Sequence, residues 1–156
     1  MKRVLFLCSH NAARSQMAEG FLRHDAGDRF EVFSAGLNPS YVRPGVIQVM
    51  REVGVDISHH RSKSVDEFRG EEMDYVITVC DHANQQCPEF PATTKRIHWS
   101  VEDPVSPAGD EAAQLAVFRR VRDDIRRRFQ DFAGELKDSE VKRIGESHET
   151  WPLASC

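Results

Sequence analysis

The sequence lacks most of the features that announce a class. No stretch approaches the roughly 20 consecutive apolar residues of a membrane span, and the apolar run in MKRVLFLCSH is far shorter than a signal-peptide core. No membrane association is expected, and the chain is expected to be cytoplasmic. Basic excess is also missing: net charge is −4 and pI is near 6.0. No global field would gather nucleic acid or anionic lipid, so any anion site has to be local. There is no internal repeat, no low-complexity tract, no cofactor motif and no G-x4-G-K-[ST] of the nucleotide P-loop. Cysteine is scarce at 4 residues. In a reducing compartment these are expected to be reactive, metal-binding or buried rather than a static disulfide framework.

What is present reads as strands alternating with helices. Val4 to Leu7 is a continuously apolar run ending at Cys8, the pattern of a strand buried on both faces. Residues 12 to 24 repeat Met17, Ala18, Phe21 and Leu22 at helical spacing, with Gly27 as the stop. Phe30 to Ala35 reads as a second strand closed by Gly36. Pro44 then opens a helix carrying Val46, Val49, Met50 and Val53, which Gly54 ends. Asp74 to Cys80 is a third buried strand and Arg96 to Trp99 a short fourth. Between Asp110 and Phe132 a stripe of Leu115, Phe118, Ile125, Phe129 and Phe132 predicts one long amphipathic helix. The expected fold is α/β: a single domain over residues 1–133 with a four-stranded parallel sheet and helices on both faces. Residues 134–156 form a polar, partly disordered tail. A domain of this size is expected to be a monomer.

In such sheets ligands bind beyond the carboxyl ends of the strands. Cys8, Cys80 and the acidic stretch at Asp103 all fall there. The stretch CSHNAARS, residues 8 to 15, places a cysteine on a strand end and an arginine six residues on, at a helix start. Backbone N–H groups of Ser9, His10, Asn11, Ala12 and Ala13 can then surround one point at the positive end of the helix dipole. Arg14 can fork two donors onto a tetrahedral oxyanion, and its charge, with the dipole, is expected to lower the Cys8 pKa toward neutrality. Ser15 can hydrogen-bond the thiolate, and Asn11 is suited to pinning the loop.

The stretch VLFLCSHNAARSQMAEGF resembles the active-site loop of the low-molecular-weight protein tyrosine phosphatase fold family. Residues 79 to 104, with VCDHANQQCPEFPATTKRIHW followed by VEDP, are similar to its thioredoxin-coupled arsenate reductases. The resemblance covers about Lys2 to Phe132. It implies that Cys8 attacks arsenic while the loop and Arg14 hold the oxygens, and that Asp103, set by Pro104, protonates the departing oxygen. Cys80 and then Cys87 would carry the oxidising equivalents away as disulfides. Thioredoxin is the implied reductant, with glutaredoxin as the other route, and no cofactor is required. A phosphatase acting through Cys8, Arg14 and Asp103 alone is the competing expectation. A redox-sensing or oxyanion-binding protein, switching on a Cys8–Cys80 disulfide without turnover, is the non-enzymatic one.

Other residues carry smaller expectations. Asn11, Glu19 and Ser34 match positions that bind a potassium ion in some relatives. Lys63 stands where those relatives place a further acid, so its ammonium is expected to fill the cation's space. Cys80, His82, Cys87 and His98 could be read as zinc ligands, but C-x6-C is not a common zinc spacing. Polar residues 81 to 86, DHANQQ, lack apolar anchors and are expected to unwind cheaply. His10, His59 and His60 are expected at the surface. The six arginines between Arg119 and Arg128 should line a solvated helix face, and Cys156 should be a free surface thiol.

Overall fold

The computed structural model describes residues 1–88, 90–91, 93–104 and 110–142, with side chains as far as 132. Four strands, β1 (Lys2–Cys8), β2 (Phe30–Gly36), β3 (Tyr75–Thr78) and β4 (Lys95–His98), form one all-parallel sheet in the order β2-β1-β3-β4. The helices are α1 (Arg14–Ala26), α2 (Pro44–Glu52), α3 (Asp81–Gln85) and α4 (Glu111–Lys142), with a 3-10 turn at Val65–Phe68. The chain thus leaves β1 toward one edge for β2 and returns past β1 to β3. That reversal opens a crevice beyond the carboxyl ends of β1 and β3.

Alternation along the strands divides the core. Val4, Phe6, Phe30 and Val32 share one face, because Val4 pairs with Val32 and Lys2 with Phe30. That face meets α4 through edge-on rings: Phe6 on Phe129 at 5.3 Å, Trp99 on Phe129 at 5.5 Å and Tyr75 on Phe132 at 5.5 Å. Phe33 has the opposite parity, and its ring meets Phe68 of the 3-10 turn at 5.4 Å. Thr78, paired with Leu7, is also on that second face and reaches Asn84 of α3. Helices therefore cover both faces, as expected.

Local detail adds to these expectations. The segment expected to unwind cheaply, 81 to 86, begins as the short helix α3, capped by Cys80 and anchored by the fully buried Ala83. The third strand is shorter than expected because the chain turns into that cap. The arginine stripe of α4 is paired throughout: Arg119 and Arg122 with Glu52, Arg120 with Glu102, Arg126 with Asp25, Arg127 and Arg128 with Asp124. Arg122 is buried rather than solvated and also donates to Val49 O at 2.9 Å, clamping α4 to α2. Helix α4 passes residue 133, where the tail was expected to begin, and residues 143–156, Cys156 among them, lie outside the described residues. Among the described residues no helix is long and apolar enough to cross a membrane.

One glycine decides how the sheet meets the loop after β1. A Cβ on Gly36 would lie 2.8 Å from Asn11 N, 2.9 Å from His10 C and 2.9 Å from Ser9 O. All three are backbone atoms that cannot swing aside. Gly36→Ala should therefore destabilise the protein by about 1–3 kcal/mol, as overpacking does, and weaken anion binding in the loop. Urea unfolding with phosphate titration checks this, and native-like stability with unchanged phosphate affinity would contradict it.

Candidate active site

Cys8 ends β1 and is 4% exposed; the loop of residues 9 to 13 follows it and leads into α1. The next connection takes up the loop's carbonyls. Leu37 N donates to Cys8 O (3.2 Å), Asn38 N to Ser9 O (2.8 Å), Ser40 N to His10 O (3.2 Å) and Arg43 N to Ala12 O (3.1 Å). Gln16 Nε2 takes Asn11 O at 3.1 Å. With the carbonyls committed outward, the N–H groups of the loop are left to face the crevice, an anion-binding concavity at the positive end of a 13-residue helix.

Asn11 makes this turn possible. Its φ of 49° lies in the left-handed region, and its side chain meets four partners. Nδ2 donates to Ser15 Oγ (2.8 Å) and Ser34 Oγ (2.9 Å), while Oδ1 accepts from Gln16 Nε2 (2.8 Å) and Lys63 N (2.9 Å). Ser15, expected to reach the thiolate, accepts from Asn11; the hydroxyl on the sulfur pair is that of Ser9. Ser9 Oγ lies 3.4 Å from Cys80 Sγ.

A cavity of about 230 Å3 is walled by Cys8, Ser9, His10, Ala12, Ala13, Arg14, Ser40, Arg43, Asp103 and Pro104. It joins the expected nucleophile, arginine and acid. Arg14 Nη1 donates to Val101 O at 3.1 Å, which fixes the guanidinium and holds the segment carrying Asp103 over the loop. His10 is exposed, as expected, and its ring is tied to Asn38 O at 3.0 Å. Ser40 and Arg43 escaped the sequence reading. Their position just after the carboxyl end of β2 was the available signal.

Cys80 caps α3 and receives Ala83 N–H at 3.3 Å. Cys8 and Cys80 are free, buried thiols, and Cys87, half-buried against the core, is disulfide-bonded. The lowered pKa expected for Cys8 belongs instead to Cys80, pushed down to about 5 by the Cys8 hydrogen bond first and then by Ser9, Ala83 and the Arg14 charge. That same bond, and then burial, push Cys8 up against the pull of Arg14. Cys80 is thus set to give up its proton more readily than Cys8.

Beneath the loop lies a buried charge cluster. Glu19, with a side chain 6% exposed, accepts from Ser34 Oγ and Arg23 Nη1 and stands 3.6 Å from Lys63 Nζ and 3.6 Å from His60 Nε2. Asn11, Ser34 and Glu19 are thus together, with the Lys63 ammonium beside them. Burial opposes ionisation of Glu19, but Lys63, His60, Ser34 and Arg23 together hold its carboxyl below the usual range. His60 corrects the surface expectation. Its side chain is 4% exposed, with Nδ1 donating to Gln16 Oε1 at 2.9 Å and Nε2 accepting from Arg23.

Residues 3–143 match the model of the low molecular weight phosphotyrosine protein phosphatase family. The chain belongs to that family. Among its relatives, the arsenate reductase of Halalkalibacterium halodurans is 42% identical over 132 residues, 85% of this chain and 95% of that one. The arsenate reductase of Bacillus subtilis is 41% identical over the same shares. An arsenate reductase solved in the oxidized state superposes with a TM-score of 0.74 at 35% identity, over 86% of this chain and 98% of that one. The thioredoxin-dependent arsenate reductase of Corynebacterium glutamicum gives 0.62 at 32%, over 86% of this chain and 63% of that longer one.

The cluster makes stability depend on pH. Burial pushes His60 down to about 4, whereas an unfolded histidine titrates near ~6.5. Between those values the unfolded chain binds the extra proton, so stability falls as pH drops through the window, by at most about 3 kcal/mol. Urea unfolding at pH 7 and pH 4.5 should show a larger loss for the native protein than for His60→Gln. Equal losses would contradict this role.

Proposed function

We propose that the chain reduces arsenate to arsenite through Cys8, Cys80 and Cys87 and draws its electrons from thioredoxin in the cytoplasm, working as a monomer. The observation that carries this reading is the second thiol: Cys80 is a free, buried cysteine whose sulfur lies 3.4 Å from the hydroxyl of Ser9, the residue that follows Cys8 in the oxyanion loop. Hydrolysis of a phosphoester does not need it, and reduction does. The names of the relatives point the same way.

The chemistry balances without a metal or flavin. As the Cys8 proton passes to Cys80, the Cys8 thiolate forms a bond to arsenic, and Asp103 protonates the oxygen that leaves as water. Arg14 and the loop N–H groups hold the remaining oxygens. The Cys80 thiolate then attacks the Cys8 sulfur. The S–As bond breaks with its electron pair on arsenic, giving arsenite and a Cys8–Cys80 disulfide. Cys87, in the form in which it is a thiol, attacks Cys80 and frees Cys8. A dithiol then reduces the Cys80–Cys87 disulfide and is itself oxidised. Thioredoxin fits this two-electron exchange; glutaredoxin is the alternative donor. A second reading, phosphomonoester hydrolysis, uses the same cavity and stops at the Cys8 adduct.

NADPH oxidation coupled through thioredoxin reductase and thioredoxin, with p-nitrophenyl phosphate hydrolysis alongside, separates the two. Arsenate turnover should vanish in Cys80→Ser and Cys87→Ser while hydrolysis survives, and both should vanish in Cys8→Ser. Hydrolysis with no arsenate-dependent turnover in the native protein would favour the phosphatase. Because Lys63 already compensates Glu19, exchanging choline for potassium at constant ionic strength should leave turnover unchanged. A several-fold rise with potassium would contradict that.

A further inference from the structure

The relay leaves one proton unassigned. When the Cys8 thiolate forms, its proton passes to Cys80, and Cys80 must shed that proton before it can attack Cys8 in turn. A path for it stands at the crevice. Ser9 Oγ lies 3.4 Å from Cys80 Sγ and 3.0 Å from His82 Nδ1, so one hydroxyl bridges the thiol and an imidazole. The His82 ring is exposed to solvent, while Cys80 is buried. The bridge thus connects a buried proton with water.

We propose that His82 accepts the proton of Cys80 through the Ser9 hydroxyl and so generates the thiolate that releases arsenite. The inference rests on the relay described above. In the step, the Cys80 S–H proton moves to Ser9 Oγ as the Ser9 proton moves to His82 Nδ1. The hydroxyl is regenerated, and a Cys80 thiolate and a His82 imidazolium result. The thiolate forms the bond to the Cys8 sulfur as the S–As electron pair leaves on arsenic, and the imidazolium returns its proton to water.

The surroundings suit this direction. Around Cys80 stand Cys8 at the end of β1, the Arg14 guanidinium of α1 and the Ala83 N–H, the last two favouring the thiolate. Asp103 lines the neighbouring cavity wall. The carboxylate nearest His82 in sequence, Asp81, is taken by His98 Nε2 at 2.9 Å and Ser100 Oγ at 3.3 Å. The imidazole of His82 is directed to Ser9 instead. Helix α3 thus carries both the thiol that caps it and the base two residues on.

The test is a single turnover of the fully reduced full-length chain with arsenate and no thioredoxin. Arsenite release is followed by rapid quench from pH 5 to 9 and normalised to p-nitrophenyl phosphate hydrolysis by the same preparation, a reaction that stops at the Cys8 adduct and needs no attack by Cys80. Native protein should show release falling on the acid side, because histidine is the side chain that changes charge there. In His82→Ala the normalised rate should fall about 100-fold, a typical contribution of a positioned base. Its acid limb should disappear, and added imidazole should restore part of the rate. Ser9→Ala should behave likewise and Ser9→Thr, which keeps the hydroxyl, should recover. A His82→Ala profile that superimposes on the native one, or a low rate that imidazole leaves unchanged, overturns the proposal. Native protein that hydrolyses p-nitrophenyl phosphate but releases no arsenite overturns the relay itself.

Discussion

Everything at the crevice depends on the carboxamide of Asn11. A loop that turns its N–H groups toward one point must turn its carbonyls the other way, and that demands one residue in the left-handed region. Asn11 takes that conformation, and its side chain spends all four of its hydrogen-bonding positions on Ser15, Ser34, Gln16 and Lys63. Those partners come from α1, β2 and the segment before the 3-10 turn. One buried amide thereby ties three parts of the chain to a conformation that none would adopt alone. Because Asn11 is fully buried, any partner lost would leave a polar group unsatisfied, which costs about 1–3 kcal/mol.

Around that amide the charges are arranged in two tiers. In the lower tier the buried Glu19 is compensated by Lys63 and Arg23, with His60 bridging to Gln16. The upper tier is a site for an oxyanion, where Arg14 and the helix dipole face the thiols of Cys8 and Cys80. Compensation below keeps Glu19 from repelling the anion above. Two thiols at one rim suit a site in which each must be a nucleophile in turn.

Much of the scaffold was legible in the sequence. The buried strands read as apolar runs, α1, α2 and α4 as helical stripes, and the spacing from Cys8 to Arg14 as an oxyanion loop, since each depends on neighbours within one element. Helix α3 was not legible. Four polar residues and one alanine carry no apolar period, and the helix exists because Cys80 caps it and Ala83 finds a buried seat. The burial of His60 and Arg122 was hidden as well, because burial of a polar side chain is decided by partners far along the chain.

By itself the sequence determined the strand–helix alternation, the residues of the loop and the chemical types at its rim, because local periodicity and turn chemistry act over a few residues. Only the tertiary structure decided that the Cys80 thiol meets the loop beginning at Cys8, that Ser9 bridges Cys80 to His82, and that Lys63 stands beside Glu19. These are contacts across 44 to 73 positions of the chain. The first two arise from the reversal of direction at β1, which brings the ends of β1 and β3 side by side, and the third from the segment of Lys63 lying against the end of β2.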